Sequence, residues 1–480
     1  MPVPPVGDAG GLLLVPDVGP DRGLGHLHRS LALGEAWAAV GGDVTVLVPE
    51  TAVEAMGRIR AAGATAEPTA GSPVTPAEIA RAANDQTWTV LDGYEHGAEH
   101  RAAAHAADHV AVIDDHGRTG AADVDVVIDH NPGASAGPYL GDALVLAGAA
   151  YTLVPAGHRH EPAGSAGDRL VIVMGGSPDG ETSAFVDRVL PLLGVPAEQI
   201  DVVGLPEVNA AAGGRRIGRD DPLGLVFREA RVALSAAGST TWELASAGVA
   251  SVLVAIADNQ VPVGTAAAEM GVARFLGPVG QVAPDEAAAA VNALWSDEGV
   301  RGAMAARGPA VIDGSGPARV VAALRSRSVA LRPATAADAR LLWTWANEPQ
   351  VRAMAFSSDP IDWDDHLAWL ADRLSGGGSW IYVAGASGEG GPWGQVRFDR
   401  VAEGEVDTDV SIDARHRGRR LGAPLLAAAT ERLRADCVGL RRVHARVRRA
   451  NRASAAAFWL AGFRPVGCEG DVWSFEWVPS

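Results

Sequence analysis

The sequence predicts an α/β protein with two doubly wound, parallel-sheet domains followed by a smaller α/β domain. Three observations carry this expectation. The chain has 480 residues, room for about three domains at roughly 150 residues each. Short β-branched and aliphatic runs alternate with Ala-rich stretches of helical spacing, the pattern of a parallel sheet covered on both faces. Charge is also uneven. From residue 330 onward 19 Arg meet 19 Asp and Glu, so the first 329 residues hold the other 39 acids and 21 Arg and the whole net charge of -18.

In the first domain, residues 1–157, strands are expected at 12–15, 44–48, 89–91, 110–113 and 126–128, with helices at 31–39 and 76–83 between them. The passage 155–164, Pro-Ala-Gly-His-Arg-His-Glu-Pro-Ala-Gly, interrupts the pattern and reads as a linker. Alternation restarts in the second domain, residues 168–325, with strands expected at 170–174, 200–203, 225–227, 232–235 and 251–255. A join near 326–328 precedes the third domain, 329–480, where Val329-Ala-Leu-Arg-Pro opens a fresh strand. There, Trp393-Gly-Gln-Val-Arg-Phe and Asp407-Thr-Asp-Val-Ser-Ile-Asp alternate as half-buried strands do. No internal repeat of solenoid length is present.

Composition excludes several classes. All 40 basic residues are Arg, so lysine Schiff-base chemistry is ruled out. The acidic balance argues against nucleic acid or an anionic membrane as the main partner. Two cysteines, Cys437 and Cys468, are too few for a disulfide framework or a thiolate zinc site. Without a signal-like segment or a long apolar run, the expectation is a soluble cytoplasmic enzyme, a monomer or homodimer.

Candidate site residues fall where strands hand over to helices. The first strand leads into Gly19-Pro-Asp-Arg-Gly-Leu-Gly-His-Leu-His-Arg-Ser, which puts His26 beside any ligand in the crevice above the strand ends. The bland alternative is a helix-start residue bonded to a neighbour. Asp92, Asp114 and Asp115 follow strands directly; each alone could cap a helix, while their recurrence at one sheet edge marks a site. In the second domain, Gly175, Gly176 and Ser177 follow one strand, and Gly238, Ser239 and Thr240 follow another and open a helix. Small residues let a diphosphate approach the backbone, and a helix N-terminus supplies donors. Glu243, one turn on, is placed to accept hydrogen bonds from ribose hydroxyls. Asp258, Asn259 and Gln260 can bond a sugar hydroxyl or amide. No P-loop lysine motif occurs, so a nucleotide-sugar site is the reading.

Taken in order, Gly23-Leu-Gly-His-Leu-His-Arg, Leu91-Asp-Gly-Tyr, Ile113-Asp-Asp, Met174-Gly-Gly-Ser, Ala236-Ala-Gly-Ser-Thr-Thr-Trp-Glu and Asp258-Asn-Gln resemble the UDP-sugar hydrolases of pseudaminic acid biosynthesis. These are relatives of the lipid II GlcNAc transferases with the GT-B fold, and the resemblance covers roughly residues 10–320. It implies a GT-B-like domain pair that hydrolyses UDP-2,4-diacetamido-2,4,6-trideoxy-β-L-altropyranose. His26 matches the catalytic histidine, the second-domain motifs match the UDP cradle, and Asp92 and Tyr94 join Asp258, Asn259 and Gln260 as sugar-binding candidates. No metal is expected.

In the third domain, Arg415-His-Arg-Gly-Arg-Arg-Leu-Gly-Ala-Pro-Leu-Leu runs from a strand end into a helix, with guanidinium and N–H groups suited to a pyrophosphate. Taken alone it could be a solvated basic turn. With Asn451-Arg-Ala-Ser-Ala-Ala-Ala-Phe-Trp-Leu-Ala-Gly-Phe, it resembles the GNAT N-acetyltransferases over about residues 329–480. The resemblance implies acetyl-CoA as co-substrate, bound by Ile412, Arg417, Gly418, Arg419, Arg420, Gly422, Ala423, Asn451, Ser454 and Phe458. Arg420 stands where the loop usually has its first glycine, and Phe458 where many members have a tyrosine. Trp345 to Arg352 and Trp363 to Trp369 resemble acceptor-side helices, which makes Asn347, Arg352 and His366 acceptor candidates.

The sequence therefore predicts a bifunctional enzyme that N-acetylates a UDP-4-amino sugar and hydrolyses its UDP linkage with inversion. Its rivals are a glycosyltransferase passing the sugar to an alcohol, and a nucleotide-sugar sensor with a degenerate acetyltransferase module.

Overall fold

The computed structural model describes residues 9–19, 25–115, 117–118, 120–158, 167–175, 180–205, 208, 214–218, 221–385 and 391–479. Gly10–Pro317 forms one compact unit, and Ala318–Ser480 makes up the body of a second.

The first unit holds two sheets. Strands β1 (Gly11–Pro16), β2 (Asp43–Pro49), β3 (Thr65–Thr69), β4 (Trp88–Asp92), β5 (His109–Ile113), β6 (Val126–Asp129) and β7 (Leu144–Ala147) lie in the order β3-β2-β1-β4-β5-β6-β7. All neighbours are parallel. Helices α1 (Gly25–Ala38), α2 (Val53–Ala61), α3 (Pro76–Ala83) and α4 (Ala98–Ala104) form crossovers. Leu12, Leu13, Leu14 and Val15 are all buried, as residues on both faces of a helix-covered strand must be. The second sheet contains β8 (Arg169–Val173), β9 (Ile200–Val203), β10 (Arg215–Ile217), β11 (Ala230–Ala236), β12 (Ala250–Ala255) and β13 (Arg274–Pro278), ordered β10-β9-β8-β11-β12-β13 and again parallel. Its helices are α5 (Gly180–Val189), α6 (Leu223–Glu229), α7 (Thr240–Ala247), α8 (Val261–Glu269), α9 (Pro284–Ser296) and α10 (Glu298–Val311), with α11 (Gly316–Ser326) at the junction of the units. In each sheet the strand order reverses beside the first strand, between β1 and β4 and between β8 and β11. Open α/β sheets bind ligands at that point.

Residues 225–227, expected as a strand, belong to helix α6. A short apolar run does not distinguish a strand from a buried helix turn. Packing decides it, because α6 sets Gly224 where an added Cβ would lie 2.5 Å from the Gly157 carbonyl oxygen. Residues 156–158 of the expected linker form a 3-10 turn that ends in the buried His158, while 159–164 lie outside the described residues. Helix α1 begins at Gly25 and not at 31, so His26 sits in its first turn.

The second unit has a mixed sheet in which β14 (Leu331–Pro333), β15 (Ser379–Ala384), β16 (Gly394–Ala402), β17 (Glu405–Ile412), β18 (Arg442–Arg448), β20 (Val472–Trp477) and β19 (Arg464–Glu469) follow one another. Its helices are α12 (Ala339–Ala346), α13 (Pro349–Met354), α14 (Trp363–Ser375), α15 (Gly422–Asp436) and α16 (Arg452–Leu460). All pairs are antiparallel except β17 with β18. Val396, Phe398 and Val406 point toward Leu425, Leu426, Ala429 and Leu433 of α15 and form the core. The architecture is the α/β fold class read from the sequence: two doubly wound Rossmann-type folds plus a third α/β domain. Among the described residues no helix is long and apolar enough to cross a membrane.

Candidate active sites

The first site forms at the strand reversal of the first sheet. His26 Nδ1 lies 2.7 Å from Asp92 Oδ1, at the end of β4. Asp92 was expected to touch sugar, but it is fully buried. Arg29 Nε reaches both of its oxygens at 3.0 Å, Arg29 Nη2 donates to Oδ1 at 2.6 Å, and Ser30 Oγ donates to Oδ2 at 2.9 Å. Asp92 therefore orients the histidine and does not meet a substrate. Burial by itself would raise its pKa, yet the Arg29 guanidinium and the hydrogen bonds from His26 and Arg29 outweigh burial and hold it far below the usual carboxylate range. Gly93 makes the arrangement possible, since a Cβ there would fall 2.4 Å from Asp17 Cβ.

Arg29 Nη2 also stands 3.0 Å from His26 Nδ1. One ring nitrogen cannot both donate to the carboxylate and accept from the guanidinium. A lone pair facing an ionised carboxylate at 2.7 Å would be repelled, so the network assigns the proton to Nδ1, donated to Asp92. Nε2 is then the ring atom with a lone pair for a ligand or water.

Around this pair Arg29 Nη1 reaches Asp115 Oδ1 at 3.0 Å and donates to His130 Nε2 at 2.8 Å. His130, on the residue after β6, is lowered to about 4 by burial and then by Arg29, so it stays neutral. Tyr94 donates to Asp115 Oδ2 at 2.6 Å, and Asn131 Nδ2 donates to Oδ1 at 2.7 Å. The Tyr94 ring meets His26 edge-on at 5.3 Å and carries Arg118 over its face at 4.2 Å. Tyr94 is exposed, so a ligand at His26 would touch it. With His130 neutral, Asp92, Asp115 and Arg29 sum to one negative charge beside His26.

At the second sheet's reversal, Gly175 adopts a φ of +78° after β8, while Gly176 and Ser177 lie outside the described residues. Gly238, Ser239 and Thr240 open α7, whose N-terminus has no side-chain cap. A Cβ on Gly25 would lie 3.9 Å from Ser239 Oγ, so the first turn of α1 faces the first turn of α7. Glu243 is buried, with His158 Nδ1 3.8 Å from its Oε2. Its charge also reaches His28 on α1, which burial lowers and whose Nε2 accepts from Arg58 at 2.9 Å. Asp258 and Asn259 are exposed, whereas Gln260 Oε1 accepts from Ile256 N–H at 3.0 Å and braces the strand end.

Sequence reasoning missed Arg29, His130, Asn131 and His158. Arg29 carries one readable signal, its position three residues after His26 on a helix, which puts both on one face. Tertiary folding alone brings the others in.

In the second unit β17 pairs with β18 only at Glu405–Asp407, opposite Arg442–His444. Beyond Asp407 the two strands carry no paired residues, so the β17 edge leading to Ile412 is open on that side. The loop after it holds Gly418 at a φ of +79° and Arg420 at +54°, a left-handed conformation in which glycine is ordinary and arginine strained. Arg419 and Arg420 are exposed beside the N-terminus of α15, which has no side-chain cap at Leu421. Gly422 and the buried Ala423 open that helix, and a Cβ on Gly422 would come 2.9 Å from Ala457 Cβ of α16. Asn451 caps α16 by accepting from Ser454 N–H at 3.2 Å.

Several expected contacts are already engaged within the protein. Arg417 directs its guanidinium at Glu348 (2.7 and 2.5 Å), Gln350 (3.0 Å) and the Ile412 carbonyl (2.9 Å), which braces the loop. Phe458 is buried and packs in the core against Phe463 and Phe475. Asn347 clasps Ile361 through both N–H (2.7 Å) and carbonyl (3.1 Å). Arg352 donates to Ala346 at 2.7 Å, and the buried His366 bonds the Ala339 carbonyl at 3.0 Å. The carboxylate that sequence reasoning missed is Asp409, exposed on the sheet face away from α15 and joined to Gln395 Nε2 at 3.2 Å.

Among known proteins, the acetyltransferase (GNAT) domain family matches residues 328–464. MurG of Acinetobacter baumannii is 18% identical over 65% of this chain and 98% of its own, with a TM-score of 0.46. AAC(6')-Ib in complex with ribostamycin and coenzyme A is 20% identical over 31% of this chain and 93% of its own, with a TM-score of 0.28. The spermidine N-acetyltransferase of Vibrio cholerae, in complex with CoA and spermine, is 16% identical over 31% and 95%, also at 0.28. No curated protein matches the chain. Residues 328–464 thus match the acetyltransferase (GNAT) domain family, and two doubly wound Rossmann-type folds precede them.

Proposed function

We propose that the chain is a bifunctional amino-sugar nucleotide enzyme. Its GNAT domain N-acetylates a UDP-4-amino sugar with acetyl-CoA. Its Rossmann pair hydrolyses the product at C1 with inversion, releasing UDP and 2,4-diacetamido-2,4,6-trideoxy-L-altrose. The observation that carries this reading is the His26–Asp92 pair, 2.7 Å apart, at the strand reversal and facing the start of α7.

In the hydrolytic step, His26 Nε2 takes a proton from water as the oxygen attacks C1 from the face opposite UDP. The C1–O bond breaks, and its electron pair leaves on the diphosphate. Amide groups at the start of α7 stabilise that charge. Asp92 and Asp115 stabilise the imidazolium, and general-base assistance of this kind is worth on the order of 10²- to 10⁴-fold. In the acetyl transfer, acetyl-CoA lies along the open β17 edge with its pyrophosphate at the α15 N-terminus. Asp409 receives the acceptor ammonium. After the ammonium gives one proton to solvent water, the amine attacks the thioester carbonyl, the C–S bond breaks, and the second amine proton passes to the leaving thiolate, giving the amide and CoA thiol.

Mass spectrometry of the purified chain with UDP-4-amino-4,6-dideoxy-β-L-AltNAc tests both steps. With acetyl-CoA the expected products are acetylated free sugar and UDP. His26→Ala is expected to stop UDP release, while acetylated UDP-sugar accumulates and UDP still binds. UDP release that persists in His26→Ala would sink the assignment of the base. Transfer to an added alcohol in place of water would favour a glycosyltransferase.

A further inference from the structure

We propose that Arg29 is the positioning residue of the histidine site: one buried guanidinium fixes both the proton acceptor His26, through Asp92, and the substrate wall Tyr94, through Asp115. The inference rests on the hydrolytic reading above and extends it to a residue without a role there.

The Arg29 side chain is buried on the inner face of α1. One edge of its fork, Nε and Nη2, holds Asp92 at 3.0 and 2.6 Å. The other, Nη1, holds Asp115 at 3.0 Å and His130 Nε2 at 2.8 Å. Because a guanidinium is planar and rigid, the two carboxylates are set at a fixed angle to each other. Each then acts on a different part of the site. Asp92 accepts the His26 Nδ1 proton and so fixes which nitrogen faces the water. Asp115 accepts from the Tyr94 hydroxyl at 2.6 Å, which stands the exposed ring edge-on to His26. Removing the fork leaves the buried Asp92 and the half-buried Asp115 without their shared cation, and both base and wall lose their bearings. A lysine ammonium keeps the charge but, as a compact point donor, cannot hold both carboxylates in one plane.

The test compares Arg29→Lys, Arg29→Ala and Tyr94→Phe in the full-length chain. Histidine ¹⁵N NMR of the ligand-free protein reads the His26 tautomer, assigned by its loss in His26→Gln. The wild type is expected to show an unprotonated Nε2, and Arg29→Lys a mixture of tautomers. Hydrolysis of the acetylated UDP-sugar by Arg29→Lys is expected to lose on the order of 10²-fold in kcat, with KM raised as well. Tyr94→Phe should raise KM while sparing most of kcat. Guanidinium at millimolar concentration should partly restore Arg29→Ala, and sodium chloride at equal ionic strength should not. Wild-type tautomer and kcat in Arg29→Lys would overturn the proposal. Should Arg29→Ala fail to fold, the lysine variant still decides the matter. If the wild type hydrolyses no UDP-sugar, the functional reading falls, and the tautomer comparison alone upholds or rejects the role of Arg29.

Discussion

At Phe458 one oxygen atom separates this chain from GNAT members with a tyrosine at the matching position. The ring lies in the core against Phe463 and Phe475, so a hydroxyl added there has to be buried. Phe458→Tyr is expected to cost about 1–3 kcal/mol, seen as a lower Tm, with no gain in acetyl transfer. A rise in kcat would instead place the ring beside the CoA sulfur. His96 and His130 carry a second consequence of burial. Burial lowers both from 6.5 to about 4, helped by His100 in one case and Arg29 in the other. The unfolded chain thus takes up their protons first. Their contribution to stability is complete above pH 6.5 and is lost as the pH falls toward 4, with a slope of about 1.4 kcal/mol per pH unit for each. Urea midpoints across that window should fall with pH, and His96→Asn should flatten the decline.

Among the elements, α7 connects packing to the candidate UDP cradle. It carries Gly238 to Thr240 at its start and Glu243 one turn on, and α10 lies against its back. Where they meet, a Cβ on Gly308 would sit 2.2 Å from the Ala245 carbonyl oxygen. A backbone oxygen cannot swing aside as a side chain can, so Gly308→Ala has to push α10 and α7 apart. The expected cost is about 1–3 kcal/mol together with weaker UDP binding by titration. An unchanged UDP affinity would mean that the α7 N-terminus does not meet the nucleotide.

At the scale of the molecule, the chain divides into units with separate cores. One is built around the two parallel sheets, the other around β16, β17 and α15. A ligand that binds only the native state stabilises the unit that holds it, by about 2.7 kcal/mol at a hundred times its Kd. UDP is expected to raise the thermal transition of Gly10–Pro317, and acetyl-CoA that of the C-terminal unit, as followed by calorimetry. His26→Ala should leave the acetyl-CoA shift untouched. Equal displacement of both transitions by either ligand would contradict separate sites.

How much of this was legible beforehand follows from the length scale of each cause. Strands such as β1 and β12 declared themselves because parallel strands buried on both faces need unbroken apolar runs. The edge strands β3, β7, β10 and β13 escaped notice because an edge relaxes that demand, and 225–227 was misread because three apolar residues suit a helix turn as well as a strand. The sequence by itself determined the three α/β folds, the position of His26 at a strand-to-helix turn and the basic loop before α15, since all of these are set by neighbours in the chain. Only the tertiary structure decided that Asp92 serves His26, that Arg29 joins Asp92 to Asp115, and that Arg417, Asn347 and His366 are committed within the protein. The carboxylate pairings among them span 63 to 86 residues of chain, from Arg29 with Asp92 to Arg29 with Asp115. Which carboxylate meets which cation across such separations depends on strand order and burial, and no local pattern encodes either.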